Sequence, residues 1–135
     1  MNRLTARISL ALAAVAWLSA PYACFADTQL IFRTPEAGAT IAADGSFHDL
    51  GTVDVRQYRQ IRIVANVRAG GPVLIVRLAA VEGNGPAIPM KDLFLNPNTP
   101  VTEVYDVPGT RLKISAGTPR GGNTAAVLDL LVYGN

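Results

Sequence analysis

Ser46, His48 and Asp49 fall within four positions of one another and form the one cluster in this sequence with the parts for nucleophilic catalysis. A hydroxyl nucleophile needs a base to take its proton and an acid to orient that base. Those groups must converge, however, and neighbours along an extended strand point to opposite sides. The cluster is therefore read as a turn or strand-edge feature beside Asp44. His48 is the only histidine, and the only cysteine, Cys24, lies in the leading segment, so a transition-metal site of the His/Cys kind lacks ligands. No G-x-S-x-G, phosphate-binding loop or dinucleotide fingerprint is present, and "AGGPV" is not followed by the helix that the last two require. Glu82, Glu103 and Asp106 could in principle flank a glycosidic bond, but without a long cleft they are read as solvated acids. Carbonyls of the "EGNGP" turn with Glu82 or Asp92 leave a structural Ca2+ open, although no loop has dense Asp/Asn spacing. The expectation is a non-enzymatic protein without a resident cofactor.

The leading segment sets the compartment. Arg3 and Arg7 precede an apolar stretch from Ile8 to Ala20, and small residues at Cys24 and Ala26 have the spacing of an export-signal cleavage site. A spanning helix needs about 18 to 20 apolar residues, and this run is shorter and meets Pro21. Cleavage is expected after Ala26, leaving residues 27–135 as a single exported domain, periplasmic or secreted, without a membrane span. Pro21-Tyr22-Ala23 matches a lipoprotein box only at Ala23, which argues against an anchor on Cys24. Loss of Arg3 and Arg7 leaves ten of the twelve Lys and Arg against ten Asp and Glu, too balanced for a nucleic-acid binder.

Short apolar runs rich in Val, Ile, Thr and Tyr recur between Gly, Pro, Asn and Asp turns, the pattern of an all-β sandwich or barrel. The spacing predicts strands over 29–33, 40–42, 47–55, 60–67, 73–81, 90–95, 101–107, 111–116 and 125–133. Side-chain alternation turns Ile61, Ile63, Ala65 and Val67 inward, and Leu112, Ile114 and Ala116 likewise, with Arg62, Arg111 and Lys113 outward. In "VLIVRLAAV", Arg77 outside puts Leu74, Val76, Leu78 and Ala80 inside; in "AVLDLLVY", Asp129 outside puts Leu128, Leu130 and Val132 inside. That leaves Val73, Ile75, Val127 and Leu131 on the outer side, where the "LIF" of residues 30–32 or a second subunit is expected to cover them. A structural subunit that assembles through this strip into a homo-oligomer is the alternative function. "VPGT" is read as a type II turn reversing the chain between Val107 and Arg111, with Asp106 and Arg111 flanking it as a surface pair.

Successive loops of a sandwich alternate between its ends. One end is expected to gather Arg68, Asn96, Asn98, Arg120 and Asn123, the other Arg56, Tyr58, Arg59 and Asn84 together with Glu82. Loop ends carry the recognition surface of many sandwiches. The first end offers planar donors suited to hydroxyls or carboxylates, the second an aromatic on which a sugar can stack.

The succession "LGTVDV", "QYRQIRIVA", "VYDVPGTRLKIS" and "LDLLVYG", over roughly residues 47–134, resembles the galactose-binding-like, discoidin-type jelly-roll sandwiches. The resemblance implies an antiparallel jelly-roll-like sandwich of eight or nine strands that recognises ligands, often glycans, by its end loops. The expected partner is a glycan or an envelope protein.

Overall fold

The structure, a computed structural model, describes residues 28–107, 109–119 and 124–135. The expected export signal with Cys24, and also Pro108, Arg120 and Asn123, lie outside the described residues. Nine strands make up the fold: β1 Gln29–Arg33, β2 Ala39–Ile41, β3 Phe47–Asp54, β4 Gln60–Val67, β5 Leu74–Val81, β6 Ala87–Leu95, β7 Val101–Asp106, β8 Arg111–Gly117 and β9 Ala126–Gly134. Among the described residues there is no helix long and apolar enough to cross a membrane.

The pairing has a simple plan. β2 pairs with β9, β3 with β8, β4 with β7 and β5 with β6, all antiparallel. From β2 onward the chain is thus one long hairpin whose two arms stay paired, strand by strand. Pairing of β4 with β9 and of β5 with β8 wraps that hairpin into two sheets, β2-β9-β4-β7 and β3-β8-β5-β6. This is a jelly-roll winding. β1 joins the first sheet on the same β9 edge as β2, opposite residues 131–134, and makes it five-stranded.

Alternation along each strand supplies the core. Ile61, Ile63, Ala65 and Val67 of β4 and Leu128, Leu130 and Val132 of β9 are buried, and they face Leu74, Val76, Leu78, Leu112, Ile114 and Ala116 of the other sheet. Each large aliphatic removed from water contributes about 1.5 to 3 kcal/mol, which holds the register against a one-residue slip. Ala80 departs from expectation. It stands opposite Leu112 but is only half-buried, whereas its neighbours Ala79 and Val81 are buried, just past the point where the β5–β6 register shifts between Leu78 and Ala79.

Two connections differ from the sequence expectation. β7 and β8 belong to different sheets, so the chain around Gly109 carries it across the sandwich and does not close a hairpin. The Val107 N–H bonds to the Arg59 carbonyl at 2.9 Å, and Val55 N–H bonds to the Thr110 carbonyl at 3.0 Å, fixing both sides of this crossing. Asp106 instead accepts from Gln60 Nε2 at 3.1 Å, while Arg111 donates to the Gly83 carbonyl. The "LIF" segment does not cover an outer face either. As β1 it lengthens the sheet in its own plane, and Phe32 points inward, so that a Cβ on Gly51 would lie 3.0 Å from its ring.

Candidate functional site

The Ser46–His48 cluster does assemble, but with Asp44 rather than Asp49. Asp44 Oδ1 accepts the Ser46 N–H at 2.9 Å and the Ser46 hydroxyl at 2.8 Å, and lies 3.1 Å from His48 Nε2. Ser46 Oγ is 3.4 Å from the same imidazole nitrogen. A catalytic relay puts the base between hydroxyl and acid and uses both ring nitrogens. Here one carboxylate oxygen holds the hydroxyl and the imidazole together, on an exposed turn. The arrangement caps the turn, and the Ser46 N–H is the largest cause that holds the Asp44 carboxyl down to about 2. Asp49 points to the other side and pairs with Lys113 at 3.1 Å. The sequence signal for Asp44 was the Asp-Gly-Ser run, in which an Asx side chain bonds to the backbone two residues on.

The loops do divide between the two ends, yet most of the residues named there are spent on internal bonds. Arg68 grips Asp129 with Nε at 2.9 Å and Nη2 at 2.8 Å, and donates to the Glu36 carbonyl at 2.9 Å, binding the turn after β1 to the outer face of β9. Asn96 and Asn98 are exposed and build a turn: Asn98 has φ of 58°, and Thr99 N–H bonds to the Asn96 carbonyl at 3.2 Å. At the opposite end Arg56 Nε forks onto Asp54 at 3.1 and 3.0 Å. Tyr58 is half-buried, with its hydroxyl donating to Gln29 Oε1 at 2.9 Å and its ring pressed on Gly134, where a Cβ would be 2.4 Å away. No ring is presented to solvent there by Tyr58. Arg59 is exposed while its N–H bonds to the Asn135 carbonyl at 2.8 Å, and Asn84 is exposed in a turn closed by Gly85 N–H to the Glu82 carbonyl at 2.9 Å.

The four outward apolar residues do not form one strip. Val73 and Ile75 lie on the four-stranded sheet, Val127 and Leu131 on the five-stranded sheet, and the outer faces of a sandwich look in opposite directions. Val127 is further overlain by the turn after β1, since a Cβ on Gly38 would come within 2.4 Å of it.

The outer face of the four-stranded sheet holds a different constellation. One rung across its strands reads Phe47, Gly117, Ile75, Phe94. The neighbouring rung reads Asp49, Ser115, Arg77, Asp92. Phe94 is 67% exposed and Phe47 38%, and Val73 follows the same side just before β5. Arg77 Nε and Nη2 donate to the two oxygens of Asp92, each at 2.8 Å, and its guanidinium carbon lies 4.0 Å from the centre of the Phe47 ring. The pair holds the Asp92 carboxyl below its usual range. Only glycine fits at position 117 of the first rung, because the Ser46 carbonyl fills the space a Cβ would need, 2.5 Å away. Beside Arg77, a register shift in β6 opens a shallow depression of about 440 Å³ lined by Pro89, Met90, Lys91 and Asp92. On the opposite sheet a depression lined by Gln60, Arg62, Val104 and Tyr133 measures about 120 Å³, below the roughly 300 Å³ of ordinary ligand pockets. Sequence alternation marks Arg77 as outward, but only strand pairing shows that Asp92, Phe47 and Phe94 surround it.

Asp92 is thus engaged by an arginine, and among the described residues no group of three or more His, Cys, Asp or Glu side chains converges. No protein-family model matches the chain, and no curated protein matches it. Among solved structures it is similar to the crystal structure of tripeptidyl peptidase 2, with a TM-score of 0.58 and 9% identity over 81% of this chain. The chain spans 10% of that peptidase chain, and the likeness is one of fold. A similarity to the structure of infectious bursal disease virus Gx strain has a TM-score of 0.40 and 13% identity, covering 78% of this chain and 30% of that one.

Proposed function

We propose that the protein is an exported, non-enzymatic binding module of the galactose-binding-like kind, whose recognition surface is the outer face of the four-stranded sheet and not its end loops. One observation carries the reading. Phe94 stands in water beside an arginine fixed on both Asp92 and Phe47, whereas Arg68, Arg56 and Tyr58 at the ends are committed to internal partners. A planar donor held rigid before the ligand arrives loses little freedom on binding, and an exposed ring supplies contact area. The partner is a glycan or envelope protein met after export.

The module reading favours surface recognition over turnover, because the hydroxyl and imidazole of the Asp44 turn share one acid instead of forming a relay. The test is to titrate envelope extract of the producing cell into isotopically labelled protein. Amide shifts centred on Ile75, Arg77 and Phe94, abolished by Phe94→Ala, are expected. Shifts centred on Asn96 and Asn98, or none at all, would reject this face. Mass spectrometry of the exported chain checks the expected start at Asp27.

A further inference from the structure

We infer that β7 is an association edge: a second copy of this chain adds its own β7 there, antiparallel, about a two-fold axis at Val104, and joins the two five-stranded sheets into one. This edge is independent of the recognition face proposed above, which lies on the other sheet.

The edges of the two sheets are not alike. A strand at an edge offers unpaired backbone groups to any passing strand, and edges are normally blunted by bulges, proline, lysine or shortness. Among the described residues, three edge strands each carry one extra residue at a register shift: Ile31 in β1, Leu50 in β3 and Met90 in β6. β2 is only three residues long, and β6 has Pro89 and Lys91 as well. β7 has none of these devices. Its run Val101–Asp106 contains no Pro, Gly or Lys, and it pairs with β4 from Ala65 opposite Val101 to Gln60 opposite Asp106 without a shift.

Hydrogen bonding fixes which backbone groups of β7 point off the sheet. Gln60 exchanges both of its backbone bonds with Asn135, at 3.1 and 2.9 Å, and Val107 N–H bonds to the Arg59 carbonyl at 2.9 Å. Alternate residues of an antiparallel strand bond to the same neighbour, so the even-numbered residues of β4 serve β9 and the odd-numbered ones serve Val101, Glu103 and Tyr105 of β7. The N–H and C=O groups of Thr102, Val104 and Asp106 therefore face outward along the edge. All three residues are exposed, Val104 at 55%.

Side-chain chemistry selects the occupant and its register. An antiparallel copy centred on Val104 uses all six outward groups, setting Val104 against its counterpart and Thr102 against Asp106 of the second copy. On the inner side Glu103 then meets Tyr105, and Val101 meets Val107. Every carboxylate faces a hydroxyl and every valine a valine, whereas centring on Glu103 or on Asp106 would oppose two like charges. Both acids are already held within their own chain, Glu103 by the Tyr105 hydroxyl and Asp106 by Gln60 Nε2 at 3.1 Å. Directly opposed residues of an antiparallel pair point to the same side, so the two-fold axis stands perpendicular to the sheet. The four-stranded sheets of the two copies lie on one side of the joined sheet, and their Phe94 faces look the same way, which suits two-point attachment to a partner fixed on a surface. A seam one strand wide falls short of the ~1,200 Å² of stable complexes, so association should be weak and concentration-dependent.

The experiment is sedimentation velocity of the chain from Asp27 onward, which lacks Cys24, over a wide range of protein concentration. The dimer fraction should rise with concentration. Val104→Pro, which removes an outward N–H and leaves the ladder to β4 intact, should abolish the dimer, and so should Val104→Lys, which keeps the backbone and sets two cations face to face. Phe94→Ala, on the other sheet, should leave it unchanged. Circular dichroism checks that each variant is folded. Oxidation reads the register: Cα atoms of a bonded antiparallel pair stand about 5.5 Å apart, so Val104→Cys should form a disulfide-linked dimer. Thr102→Cys alone should not, but mixed with Asp106→Cys it should. A monomer at every concentration with no cross-link through Val104→Cys overturns the proposal, as does a dimer that survives both Val104→Pro and Val104→Lys or dissolves in Phe94→Ala. Cross-linking of Thr102→Cys to itself overturns the register. Protection of the Val104 amide from hydrogen exchange only after envelope extract is added means that a foreign strand takes this edge, which overturns the second copy.

Discussion

At the scale of single residues, the polar side chains of this protein are mostly occupied with one another. Asp44 is held near 2 chiefly by the Ser46 N–H, and Asp54, Asp92 and Asp129 are lowered by Arg56, Arg77 and Arg68. A carboxylate whose pKa is depressed on folding adds stability above its unfolded value near 3.8, and loses it as pH falls through the folded value. Acid should therefore erode stability between about pH 4 and pH 2. A carbon-detected NMR titration should place Asp44 near 2 and move it upward in Ser46→Ala, which removes the hydroxyl donor. Arg68→Ala should lower Tm only slightly in calorimetry, because the exposed pair with Asp129 is screened by water, and should leave ligand binding untouched.

At the scale of elements, the strand edges are where the sequence was most and least legible. Residues 29–33 and 60–67 are strands with the predicted bounds: 60–67 alternates with one buried apolar face, while 29–33 is a short run of three successive apolar residues between polar neighbours and pairs with a register shift. β6 begins three residues earlier than expected, since Ile88 and Pro89 follow the "EGNGP" turn and a proline argues against a strand interior. It is tolerated because β6 is an edge strand, where the missing N–H faces no neighbour. The shift at Met90, Pro89 and the exposed Lys91 also guard that edge against pairing with another chain. Pro89→Val should increase association, seen by light scattering, with little change in the Tm of the monomer. Where Tyr58 seals the end of β9, Gly134→Ala should cost about 1 to 3 kcal/mol by overpacking, and Tyr58→Ala should recover part of that loss in a double-mutant cycle.

At the scale of the whole molecule, the long paired hairpin explains both the core and the distance between cooperating residues. β2 meets β9 and β3 meets β8 across most of the chain, so folding requires non-local closure and should take milliseconds to seconds in stopped-flow refolding. Leu130→Ala, which opens a void at the centre of β9, should cost about 2 to 5 kcal/mol in denaturant unfolding. By itself the amino-acid order determined the strands, their inward faces and the division of loops between two ends, because alternation and turn chemistry act over a few neighbouring residues. It gave no access to Asp92 beneath Arg77, to Phe47 and Phe94 at opposite ends of one rung, or to the separation of Val73 and Ile75 from Val127 and Leu131. Those depend on which strand lies beside which and in which sheet, and that is decided only when distant segments compete to bury the same apolar faces.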